Sequence, residues 1–85
     1  FRSVGSVRSK AKARLVEEAA ERAGVEVGTV MLDVTDPERC KAVVDELAPW
    51  GLVNNAGYSL TGAVEDVSDE EATRLFETMV HAPMR

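Results

Sequence analysis

The sequence predicts an α/β fold: part of a doubly wound parallel sheet, with three strands and three helices. Three observations carry that expectation. Short apolar runs alternate with longer segments whose apolar residues recur every three or four positions, the pattern of strands covered by amphipathic helices. Helix punctuation stands between them, at Gly24, Asp36-Pro37, Pro49 and Ser68. Each apolar run also opens at its C-terminal end into residues a ligand would use, namely Arg8-Ser9, Asp33-Val34 and Asn54 to Gly57. In such sheets ligands bind outside the carboxyl ends of the strands.

In chain order, Phe1 to Val7 reads as a strand through Val4 and Val7, weakened by Ser3, Gly5 and Ser6. Ser9 is placed to cap a helix over Lys10 to Ala23. There Ala11, Leu15, Val16, Ala19, Ala20 and Ala23 share one face, charges fill the other, and Gly24 supplies the helix stop. A second strand runs from Val27 to Val34, apolar enough at its centre to be buried on both sides. Asp36 and Pro37 then start a helix whose stripe is Cys40, Val43, Val44 and Leu47, and Pro49 ends it. Gly51 to Asn54 forms the third strand, with Trp50 packed beside it, and 55–62 is loop. Ser68 with Glu71 three residues on is a capping box. It opens a last helix with the stripe Ala72, Leu75, Phe76, Met79 and Val80.

Composition narrows the function classes. The net charge is −5, yet Phe1 to Val16 holds five basic residues and no acid, while the rest sets five basic residues against all fifteen acids. An acidic surface argues against nucleic acid or an anionic membrane as partner, and the basic end suits a small anion. No stretch reads as a signal peptide, a transmembrane helix or a repeat, so a cytoplasmic protein is expected. The single Cys40 has no partner for an internal disulfide and reads as a small apolar residue. His81 stands alone, without a second histidine or a cysteine near it, so no metal site is expected. Glu65, Asp66, Asp69, Glu70 and Glu71 form a solvated acidic run, and its last three residues suit a helix N-terminus. At 85 residues the core is small: a domain of this size buries roughly 60 to 65% of its unfolded surface. Phe1 opens with a strand already in progress, and the chain reads as an internal piece of a longer protein.

The most specific signal is Leu52-Val53-Asn54-Asn55-Ala56-Gly57. Asparagines give the loop donors and acceptors, Ala56 keeps it open, and Gly57 permits a backbone conformation that other residues resist. The run resembles the Asn-Asn-Ala-Gly motif after the fourth strand of the short-chain dehydrogenase/reductase family, and with the element order the resemblance covers essentially the whole chain. It implies a Rossmann-like dinucleotide-binding domain of which residues 1–85 are an internal part. The glycine-rich turn would precede this part and the catalytic Tyr and Lys would follow it, so no catalytic residue is expected within it.

The resemblance also assigns the strand ends. Where members preferring NAD carry an acid for the adenosine ribose, this chain has Val7 followed by Arg8, which implies NADP(H), with NAD the lesser choice. Asp33 and Val34 match the pair that contacts adenine, and Asn54, Asn55, Ala56 and Gly57 match the motif that touches the cofactor and braces the sheet. Tyr58 is expected at the substrate entrance rather than as the catalytic tyrosine, because Gly62 stands where that tyrosine's lysine would. The implied parent is a homo-oligomeric oxidoreductase acting on a carbonyl or alcohol. One departure stands out. Aligning Phe76-Glu77-Thr78 puts Met79 where the family usually has an asparagine that helps hold a proton-relay water. Two rival readings follow: a non-catalytic dinucleotide sensor or scaffold of the same fold, and an unrelated doubly wound domain such as a phosphoacceptor receiver.

Overall fold

A computed structural model describes all 85 residues. The chain divides into two compact units, Phe1–Leu47 and Ala48–Arg85. In the first, β1 (Ser3–Val7), α1 (Lys10–Ala23), β2 (Val27–Met31) and α2 (Pro37–Leu47) follow one another. The two strands pair in parallel and in step, Ser3 with Val27 through Val7 with Met31, and α1 lies against both. A parallel pair needs such a crossover, and the helix supplies it.

Local chemistry explains the helix bounds. Ser9 accepts the Lys12 N–H at 3.2 Å, and Gly24 closes α1 in the left-handed region at φ 68°, giving its N–H to the Ala20 and Glu21 carbonyls. Asp36 Oδ1 takes the Arg39 N–H at 3.0 Å and so caps α2, with Pro37 in the first helical turn. After α2, Ala48 carries a positive φ of 42°, unusual for a residue with a Cβ.

The second unit is helical. A 3-10 turn at Val64–Asp66 leads to α3 (Asp69–Phe76), which continues through a π turn at Glu77–His81 into the short α4 (Ala82–Met84). The capping box forms as expected: Ser68 Oγ accepts the Glu71 N–H at 3.2 Å, and Glu71 Oε2 accepts the Ser68 N–H at 3.0 Å. The π turn has a covalent cause. Pro83 has no N–H for the Met79 carbonyl four residues back, and its ring would crowd that carbonyl in a regular α-turn. Widening the turn relieves both, and the Ala82 N–H reaches the Glu77 carbonyl five residues back. Glu77 then holds the wide turn from outside, its Oε2 on His81 Nδ1 at 2.9 Å and its Oε1 on Arg85 Nη1 at 2.7 Å.

Three expectations are corrected. The third strand does not form: 51–54 has no regular secondary structure, and Trp50, expected to pack beside it, is 92% exposed. A strand exists only through a neighbour's hydrogen bonds, and the sheet contains β1 and β2 alone. Nor is β2 buried on both sides: Val27, Thr29 and Val30 are half-buried and Met31 is exposed. The apolar stripes are also narrower than their sequence pattern. Only Val7, Ala20 and Val43 are buried, while Leu15 on α1, Val44 on α2 and Phe76 on α3 stay exposed. The α/β class stands, with two strands in place of three.

Candidate functional site

At the C-terminal end of β1 the buried Val7 is followed by an exposed Arg8. Arg8 takes part in no ion pair. Next comes the N-terminus of α1, whose first turn holds no acid and begins with Lys10 and Lys12. The N–H groups of that turn not taken by Ser9, together with the helix dipole, already make the end attractive to anions, and the flanking cations reinforce it.

The adjoining end of β2 is a tight loop. Leu32 N–H closes the ladder on the Val7 carbonyl at 2.9 Å, and Arg39 Nε braces the Met31 carbonyl at 3.1 Å. Asp33 Oδ1 accepts the Thr35 hydroxyl at 2.7 Å and the Thr35 N–H at 3.0 Å, which leaves Oδ2 to an outside donor. These bonds, the hydroxyl first, hold the Asp33 carboxyl below its ordinary range, and the nearby Arg8 charge adds a smaller push the same way. Cys40, half-buried rather than buried, donates its thiol to the Val34 carbonyl at 3.4 Å.

The sign of the Asp33 shift fixes its pH dependence. A carboxyl with a folded-state pKa below its unfolded one stabilises the fold above the unfolded value, and the contribution fades as pH falls through the folded value. Replacing Thr35 with Val removes the hydroxyl and keeps the N–H. Its expected result is an upward, partial return of the Asp33 pKa toward the ordinary carboxylate value, read by carboxyl-carbon NMR titration. An unmoved Asp33 would show that the hydroxyl does not set the shift.

In the second unit Asn54, Asn55 and Ala56 are exposed and have no regular secondary structure. Gly57 was expected to serve through backbone freedom. The structure corrects this, because the only glycines with positive φ are Gly24 and Gly62. What Gly57 supplies is room: a Cβ there would lie 2.5 Å from Met79 Sδ and 3.2 Å from Met79 Cε. Beside this contact lies an open cleft of about 320 Å³, lined by Tyr58, Leu60, Leu75, Phe76, Met79 and Val80 together with Ser59.

The structure therefore joins Arg8 with Asp33 and Val34 in one unit, and Gly57 with Met79 in the other. Two contributors escaped sequence reasoning. Thr35, two residues after Asp33, follows the spacing of an Asx turn and was legible in principle. Pro83 announced the π turn by its lack of an N–H.

The parallel pairing of β1 and β2 through a helical crossover is part of a Rossmann-like fold, and the comparisons agree. The family model described as enoyl-(acyl carrier protein) reductase, of the short-chain dehydrogenase type, matches residues 2–85. The chain belongs to the short-chain dehydrogenase/reductase family. The crystal structure of a short-chain dehydrogenase from Streptomyces avermitilis is similar at a TM-score of 0.75 and 32% identity. That match covers 98% of this chain and 31% of the other. No curated protein sequence matches. Family membership removes the receiver reading. No helix is long and apolar enough to cross a membrane.

Proposed function

We propose that this segment holds the adenosine half of NADP(H) in an oxidoreductase that moves hydride between nicotinamide and the carbonyl or alcohol carbon of a small molecule. The observation that carries the reading is the exposed Arg8, free of ion pairs, beside a helix N-terminus without acids. A guanidinium matches a phosphate in a forked geometry, where a carboxylate at the same strand end would repel it. Asp33 would accept the exocyclic amine of adenine through Oδ2, and the backbone after it, at Val34, would follow the ring edge. Asn54, Asn55, Ala56 and Gly57 would support the cofactor as the family's Asn-Asn-Ala-Gly motif does. The nicotinamide supplies the redox chemistry when bound, and these residues bind and orient. The parent enzyme is taken to be a cytoplasmic homo-oligomer, as its family suggests.

Titrating the full-length protein with NADPH and NADH tests the reading directly. Tighter NADPH binding is expected, and equal affinities would overturn the preference. Met79 favours a second reading, a dinucleotide-binding sensor or scaffold without turnover, because a thioether cannot replace an amide's hydrogen bonds. In an enzyme limited by that missing amide, Met79→Asn raises kcat. An unchanged or lower rate would show that the missing amide does not limit turnover, and no turnover in either form would favour the sensor.

A further inference from the structure

The six glycines of the chain differ in what they are for. Gly24 and Gly62 take positive φ, and Gly5, Gly24, Gly51 and Gly62 have nothing within 4 Å of where a Cβ would stand. Gly28 meets only ordinary van der Waals contacts. Gly57 alone has that space filled, by the thioether of Met79. The filling atoms come from another element, the wide turn set by Pro83 and held by Glu77.

From this we infer that Met79 is a positioning residue for the Asn54–Gly57 loop, a role that rests on the loop serving the cofactor as proposed above. The thioether sits over the one loop residue that can admit it and keeps the neighbouring Asn54, Asn55 and Ala56 from drifting. Burial is not its main contribution, since Met79 is 47% exposed. Its contribution is a steric stop. Methionine suits this, because its flexible side chain fills irregular gaps. The obstructing atoms belong to the flexible end of a side chain, so a methyl group at position 57 is accommodated by expelling Met79 rather than by unfolding the loop.

That gives a test by mutant cycle in the full-length protein, with Gly57→Ala, Met79→Ala and the double variant. Cofactor Kd is read by NADPH fluorescence, and kcat and Tm are followed alongside. Each single variant removes the same contact by a different route, so each weakens NADPH binding roughly five-fold and the double variant is no weaker than either. Met79→Leu, which keeps a carbon at the δ position, restores most of the affinity. If the two single losses multiply in the double variant, or if Tm falls while Kd and its Leu rescue stay flat, Met79 merely packs and the inference fails. A parent that binds NADPH without coupling overturns this inference alone. A parent that binds neither dinucleotide overturns the functional reading and this inference with it.

Discussion

Replacing Arg8 with Asp in the full-length protein weakens NADPH binding by roughly 10- to 100-fold, the loss of a hydrogen bond to a charged group being about 1.5–3 kcal/mol. NADH binding holds or improves. The asymmetry follows from the strand end: Arg8 is exposed and makes no ion pair, so its removal breaks no salt bridge and leaves only Asp33 without a nearby cation. The introduced carboxylate would face a 2′-phosphate with like charge, and NADH, which has none, would escape that penalty. Asp33 gives an internal check. Its carboxyl loses a favourable cation and gains an anion nearby, so its pKa rises in the variant, although the Thr35 bonds keep most of the depression. Parallel losses for both cofactors would mean that Arg8 supports the fold rather than reading the phosphate.

For residues 1–85 alone the expected result is no cooperative thermal transition. Val7, Ala20 and Val43 are the only buried hydrophobic residues, and no side chain is fully enclosed. Large apolar side chains stand exposed, Phe76, Trp50 and Val53 among them. A two-stranded sheet is at best marginal by itself, and exposed strand edges invite association. A sharp calorimetric peak from the isolated peptide, with an enthalpy scaling with its length, would refute this. The full-length protein should melt cooperatively.

What the sequence made legible was local. Ser9, Gly24, Asp36-Pro37 and Ser68 with Glu71 each act within four residues, and α1, α2 and α3 begin where those residues say. The third strand was not legible in this sense, because Leu52 and Val53 have the right composition but a strand needs a partner that composition does not provide. The apolar stripe of α3 held beyond the helix, since Leu75, Phe76, Met79 and Val80 line one cleft, but the π turn from Glu77 on was not legible in its 3.6-residue period. At the site, Arg8 and Asp33 could be read from their strand ends. The purpose of Gly57 could not, because the residue that explains it lies on another element and only packing reveals it.

The in-step pairing of β1 and β2 works as a ruler. Because Val7 and Met31 share the last rung, residues far apart in the chain are set down one strand spacing from each other, about 4.8 Å. Lengthening the connection at Val25 or Glu26 leaves that spacing untouched. Deleting one residue inside either strand turns every later side chain to the opposite face and separates Arg8 from Asp33. Variation in this protein is therefore tolerated along the crossover and penalised along the rungs, and the gap between Arg8 and Asp33 is guarded by backbone pairing rather than by the charges themselves.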